Sequence, residues 1–295
     1  DAAYAGAAAV CPEFRHHFEG WERADSITVN PHKWLFTPMD CSVFLCRRPE
    51  DLRRVFSLVP EYMRVDEEVA SLSEFNAPLA HDSSGHKLGA AYGGGIAFFL
   101  EGPQSPGFCG GEVINRSVHL AGGRLQASLP RLGDRYSVEF WFWNGLPNNF
   151  RGVTGWLFAR GDGDAAERLG ITGTNGAPGR LFLSLGGDLK LTATGPTEIQ
   201  PKTWNHVVLV RDGNRFAAYL NAKPEVSAVA EPRPASRAGQ VYLGGLNDVA
   251  APTLEGKLDE VAIYKRALEP QTIVQHYEKS GMAAAARPSA MRSLR

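Results

Sequence analysis

The stretch YSVEFWFWN (Tyr136–Asn144) decides the fold. Read in steps of two, it puts Tyr136, Val138, Phe140 and Phe142 on one face and Ser137, Glu139, Trp141 and Trp143 on the other, the period of a β-strand. Aromatic residues on both faces mark a strand that runs centrally in its sheet. Downstream, WNHVVLVRDGNRFAAYLNAK (Trp204–Lys223) reads as a hairpin, with Asp212-Gly213 expected to supply the positive-φ residues of its tight turn. RLFLSL (Arg180–Leu185), QVYLGG (Gln240–Gly245) and KLDEVAIY (Lys257–Tyr264) are further short alternating runs, separated by glycine, proline, asparagine and aspartate. From about residue 75 to 265 the pattern is therefore that of an antiparallel sandwich or barrel. One helix closes it, with Pro270 in the first turn, Ile273, Val274 and Tyr277 on one face and Gly281 at its end.

Before residue 65 the texture differs. DSITVN (Asp25–Asn30) and CSVFLC (Cys41–Cys46) alternate like strands beside the helical PEDLRRVF (Pro49–Phe56), which is an α/β texture. Residues 66–76 read as a linker, and the arginine-bearing residues 282–295 as a disordered tail. The 295 residues carry a formal net charge of -1, with 43% hydrophobic and 21% charged residues. That supports packed cores, gives no field to gather nucleic acid, and includes no apolar run of the roughly 18 residues a membrane span requires. Four cysteines are too few for a disulfide scaffold and lack metal-ligand spacing with histidine.

In the first part, DAAYAG (Asp1–Gly6), CPEFRH (Cys11–His16), ADS (Ala24–Ser26), NPHKW (Asn30–Trp34) and DCS (Asp40–Ser42) resemble, in order and spacing, the aromatic L-amino-acid (group II) decarboxylases that depend on pyridoxal 5'-phosphate (PLP). The resemblance implies a fragment of the type I PLP-transferase fold. It further implies that Lys33 forms the Schiff base, Asp1 pairs with the pyridine nitrogen, Ala3 lies against the ring, and Asn30 and His32 line the phosphate side. It continues to Tyr62, at the position of the family's mobile-loop tyrosine, and the parent family is dimeric. Because it covers only about 65 residues, the histidine that stacks on the ring and the phosphate-gripping turn are missing. A cofactor site built from several segments cannot be supplied by one, so this piece is expected to be inactive alone.

The rest resembles a laminin-G-like domain of the concanavalin A-like lectin/glucanase superfamily, a jelly-roll sandwich. The resemblance runs from APLAHDSSGHKLGAAY (Ala77–Tyr92) through the aromatic strand and the hairpin to LEGKLDEVAIYKRALEPQTI (Leu254–Ile273), so the domain is expected to span residues 77–281. Such sandwiches host lectins, adhesion modules and glycosidases alike. Hydrolysis needs paired carboxylates facing a groove, commonly a strand-borne E-x-D-x-x-E run. Glu139 has no such mate and reads as an outward strand residue or structural partner. Asp259 alternates with Val261 and Ile263, so it should face inward, where a bare carboxylate needs backbone amides, an arginine or Ca²⁺, with Asp82 as a second ligand. Trp141, Trp143 and Trp156 are candidates for stacking on sugar faces, and GLPNNFRG (Gly145–Gly152) is a plausible rim loop.

Two readings follow. In one, a module for carbohydrate or protein ligands trails a decarboxylase remnant. In the other, the chain is the C-terminal part of a longer PLP-dependent carboxy-lyase whose site is completed upstream of Asp1. The compartments disagree, since the first part suggests the cytoplasm and the second the cell exterior or periplasm, which leaves localisation open and keeps a fusion in view.

Overall fold

The computed structural model describes residues 2–35, 43–48, 68–71, 74–76, 79–81, 89–108, 114–129, 132–187, 191–231, 239–248 and 250–285. Asp1, Tyr62 and Asp82 lie outside the described residues, as does the side chain of His32. The chain divides into two compact units, Asp1–Ser57 and Leu58–Arg295.

In the first unit, 3-10 turns at Gly6–Val10, Pro12–Phe18 and Trp21–Arg23 lead into β1 (Ser26–Val29), α1 (Pro31–Trp34) and β2 (Val43–Cys46). The two strands form an antiparallel pair, with Ile27 opposite Leu45. Gly6 can have no side chain, because a Cβ there would come within 2.9 Å of the Ala2 Cβ.

The second unit is a sandwich of two antiparallel sheets. Its strands are β3 (Glu68–Ser71), β4 (Glu74–Asn76), β5 (Leu79–His81), β6 (Ala90–Gly93), β7 (Ile96–Glu101), β8 (Arg116–Leu120), β9 (Arg124–Ser128) and β10 (Arg135–Asn144). They continue with β11 (Val153–Arg160), β12 (Glu167–Thr172), β13 (Arg180–Leu185), β14 (Ala193–Glu198), β15 (Trp204–Asp212) and β16 (Arg215–Leu220). The last are β17 (Lys223–Val229), β18 (Gln240–Leu243) and β19 (Gly256–Tyr264). The front sheet runs β17-β16-β15-β10-β19-β8-β7, with β3 pairing further along β19, and the back sheet runs β14-β13-β12-β11-β18-β9-β6-β5-β4. Residues 68–71 and 74–76, expected as linker, are thus strands paired into the sandwich.

The aromatic strand β10 is central, between β15 and β19. Its inward face, Tyr136, Val138, Phe140 and Phe142, meets Leu157, Phe158, Leu169 and Leu181 of the back sheet in one buried core. The hairpin turns on Gly213 and Asn214 between Asp212 and Arg215, and only Gly213 has positive φ (64°), so the turn is one residue later than the sequence suggests. Glu225 of β17 accepts a hydrogen bond from the Thr197 backbone N–H of β14 at 2.7 Å, so a side chain covers part of the back sheet's edge.

The helix α2 (Pro270–Lys279) lies on the outer face of the front sheet, where Ile273 packs with Val208, Ala262 and Tyr264. Gly281 (φ 75°) ends it, and α3 (Met282–Ala285) follows inside the stretch expected as tail. Among the described residues no helix is long and apolar enough to cross a membrane.

Candidate functional site

Strand alternation places Glu139, Trp141 and Trp143 on the outer face of the front sheet, and α2 covers the first two of them. Glu139 is wholly buried. Its Oε1 accepts a hydrogen bond from Nε2 of His206 at 2.7 Å, and its Oε2 accepts from Nδ1 of His276 at 2.9 Å and from the Tyr264 hydroxyl at 3.0 Å. An ionised carboxylate only accepts, so these contacts require a proton on Nε2 of His206 and on Nδ1 of His276. Burial alone would raise the Glu139 carboxyl, but the hydrogen bonds and charges of His206 and His276 outweigh it and bring it down from 4.5 to about 2. Trp141 is sealed between Phe108, edge-on at 5.5 Å, and Tyr277, stacked at 5.9 Å. Glu139 is thus a structural partner that fastens α2 to the sheet.

The burial of Trp141 and Trp156, each 1% exposed, removes both from a sugar-stacking role. Trp156 packs on Phe182 at 5.1 Å above Gly170, where an added Cβ would meet the Phe182 ring at 2.7 Å. Trp143 keeps a half-exposed surface. It stands directly opposite Trp204 on β15 and Lys257 on β19, and Lys257 in turn faces His119 on β8. The Lys257 ammonium lies 5.1 Å from the Trp143 ring centre and 5.9 Å from that of Trp204.

Asp259 does not share the inward side with Val261 and Ile263. A bulge intervenes, with Glu260 at φ 50°, so that Asp259 stands opposite the outward Trp141. There it is buried, and its carboxylate accepts from Asn115 Nδ2 at 2.6 Å and from the Glu260 backbone N–H at 3.0 Å. Burial outweighs both contacts and pushes its carboxyl up to about 8. A backbone amide is therefore part of its solution, as expected, with an asparagine in place of an arginine. No group of three or more histidine, cysteine or acidic side chains is placed to hold a metal among the described residues.

At one end of the sandwich, β10 runs out into the loop Gly145–Gly152. Asn144 starts it by accepting from the Leu146 N–H (3.2 Å) while its amide donates to the Leu146 carbonyl (2.9 Å). Asn148 fastens it across the sandwich, donating to the Ile199 carbonyl at 2.8 Å. Asn149 and Phe150 are left exposed at its tip. Together with the turn before β13 and the end of β14, the loop encloses a cleft of about 410 Å³ lined by Pro147, Asn149, Pro178, Arg180, Glu198 and Pro201, among others. Arg180 and Glu198 are opposite one another in register, yet neither side chain makes a hydrogen bond or ion pair among the described residues. Sequence reasoning found the loop from its composition but missed Arg180 and Glu198, which sit at strand ends and look like ordinary surface charges.

In the first unit, Lys33 and Ala3 line a second cleft of about 500 Å³, with Tyr4, His17, Phe18 and Trp21. The exposed Lys33 ammonium lies 5.6 Å from the Tyr4 ring centre, and Asn30 precedes α1 without capping it. The cleft offers an amine and aromatic walls, with the Tyr4 hydroxyl, the Trp21 indole N–H and His17 as its other polar groups, and the small residues Ala2, Ala3, Ala5 and Gly6 fill the remaining wall. The described residues therefore do not fit a complete PLP site, which needs phosphate donors and a carboxylate for the ring nitrogen.

A family model described as concanavalin A-like lectin/glucanases superfamily matches residues 121–274, just over half of the chain. The chain belongs to that superfamily. Domain 4 of AbnA, an extracellular arabinanase from Geobacillus stearothermophilus in complex with arabinotriose, covers 71% of this chain and 97% of its own length at 20% identity and TM-score 0.53. The binding domain of botulinum neurotoxin DC in complex with SialylT covers 73% of this chain and 52% of its own (12% identity, TM-score 0.52). At such identities the superfamily likeness extends to the fold alone. Residues 1–87 match the conserved domain of pyridoxal-dependent decarboxylases. Tryptophan decarboxylase TDC2 of Camptotheca acuminata is 52% identical over 64 residues, 22% of this chain and 13% of that protein, and tryptophan decarboxylase 1 of Oryza sativa subsp. japonica is 42% identical over 92 residues, 30% and 18%. The chain thus spans under a fifth of the length of these relatives.

Proposed function

We propose that the sandwich is a carbohydrate-binding module whose ligand sits in the loop-end cleft, and that the decarboxylase-like segment is catalytically silent in this chain. The observation that carries the first part is the cross-strand position of Arg180 and Glu198, two side chains of opposite charge without a hydrogen bond or ion pair among the described residues, in the lining of a cleft shared with Pro147, Pro178 and Pro201. Sugar hydroxyls both donate and accept, so a carboxylate beside a guanidinium meets a hydroxyl pair in both senses. The rings of Pro147, Pro178 and Pro201 offer apolar surface to the C–H faces, and the exposed Phe150 stands at the rim. The small size of the cleft supports this choice over a protein ligand, and the arabinanase domain of the same fold holds arabinotriose.

The second part rests on what Lys33 lacks. A second reading, in which this chain contributes the Schiff-base lysine of a larger carboxy-lyase with Asp1 at the ring nitrogen and Tyr62 on a mobile loop, is favoured by the shared cleft of Lys33 and Ala3. Calcium held by Asp259 and Asp82 is a separate proposal.

The module is tested on an immobilised glycan panel with the full chain, Arg180→Ala and Glu198→Ala. Loss of one charged hydrogen bond costs about 2 kcal/mol, so each variant should bind roughly 30-fold more weakly. Both should unfold at the wild-type denaturant concentration, since neither side chain holds the fold together. Equal binding by the variants, or no glycan bound by the wild type, refutes the reading.

A further inference from the structure

We infer that the ligand is an internal stretch of a polysaccharide chain, which leaves the loop-end cleft and continues over the Trp143–Trp204 row. This deepens the carbohydrate reading and rests on it. Two crossing segments connect the cleft to the row. Pro147 lies four residues beyond Trp143, a reach of at most about 14 Å along the chain, and Pro201 three residues before Trp204, at most about 11 Å. The Lys202 N–H donates to the Asn144 carbonyl at 2.7 Å and ties the two segments together between cleft and row.

On the β10 side the junction is glycine backbone, while Lys202 and Thr203 are exposed on the other segment. Gly145 separates Trp143 from the cleft loop, and a Cβ there would approach the Trp143 ring to 3.0 Å, so the indole is packed flush against bare backbone. The covering of the outer face also stops at this rank. Tyr277 of α2 stacks on Trp141 and His206, whereas Trp143 and Trp204, the next pair along the same strands, remain half-exposed. Two adjacent indoles outside the core form a surface on which successive sugar rings stack.

Lys257 supplies the polar element. Of the three N–H bonds of its ammonium, one donates to the Glu101 carbonyl at 2.8 Å, and no carboxylate pairs with it among the described residues. The ammonium lies over both indole rings, so a stacking chain would displace it from the ring faces and take its remaining donors on the sugar hydroxyls. A ligand recognised only by its terminal sugar would use the cleft and leave this row untouched.

The test is calorimetric titration of the full chain with linear arabino-, xylo- and cello-oligosaccharide ladders from dimer to octamer. In the ladder that binds, the hexamer should bind roughly tenfold more tightly than the trimer, the gain expected of one or two stacked rings. Trp204→Phe and Trp204→Ala should progressively abolish that gain while leaving trimer affinity unchanged. Arg180→Ala should weaken all lengths alike. Affinity that reaches its plateau at the trimer in the wild type overturns the inference and leaves the cleft reading standing, whatever the variants do. Failure of every ladder overturns the inference, and silence on the glycan panel as well overturns both.

Discussion

The Glu139 contacts make a quantitative claim about stability. The carboxyl is held at about 2 in the folded protein against an ordinary 4.5, and at 1.36 kcal/mol per pH unit that gap corresponds to about 3 kcal/mol. Because the folded state releases this proton more readily than the unfolded one, the contribution is complete above pH 4.5 and is lost as the pH falls toward 2. Glu139→Gln keeps the shape and removes the charge. Its single carbonyl oxygen cannot satisfy three donors, and its NH₂ faces at least one N–H or O–H. At pH 7 the variant should be less stable than the wild type by about 3 kcal/mol, as measured by urea unfolding followed through tryptophan fluorescence. The difference should shrink steadily below pH 4.5 and approach zero near pH 2. A deficit of equal size at pH 3 and pH 7, or none at pH 7, would show that the carboxylate is not what binds α2 to the sheet.

Asp259 works in the opposite direction. With its carboxyl raised to about 8 from 3.8, chiefly by burial, the folded state holds the proton more tightly and stability declines as pH rises between those values. Asp259→Asn should therefore flatten the decline between pH 4 and pH 8 in the same unfolding series, and added Ca²⁺ should stabilise the wild type at pH 8 but not the variant if the ion binds there. For the first unit, PLP added to the full chain should give no internal-aldimine absorption band that disappears in Lys33→Ala. Such a band would overturn the catalytically silent reading.

The sandwich was legible where local pattern and tertiary environment agree. The alternation of Tyr136–Asn144 separates core from outer face in the sequence as it does in the structure, because an inward face against a second sheet admits only apolar residues. What the sequence concealed depends on distant partners. Glu139 meets histidines 67 and 137 residues away, so neither its burial nor that of Trp141 can be read before α2 is laid on the sheet. KLDEVAIY alternates without fault, and only a left-handed Glu260 breaks the period and turns Asp259 outward. The strands within 66–76 escaped notice because three or four residues carry too little periodicity to stand out. The cleft was half-visible, since a turn-rich loop announces itself while the strand-end charges that give it chemistry do not.

The two units differ in what they can sustain by themselves, and this bears on where function resides. Ordering a residue costs roughly 1–2 kcal/mol of backbone entropy, which folding recovers mainly by burying apolar surface. In the sandwich that exchange is met by a continuous core running through both sheets. In the first unit the described residues include only Gly6 and Ala7 as buried, while Tyr4, Val10, Phe14, Phe44 and Leu45 are largely exposed. Cofactor chemistry requires an amine shielded from water, whereas Lys33 is exposed on a four-residue helix. Carbohydrate recognition asks less of its surroundings. It needs a few polar groups and apolar faces fixed on a rigid frame and open to solvent, and on the proposed reading the loop end of the sandwich provides them from its own strands.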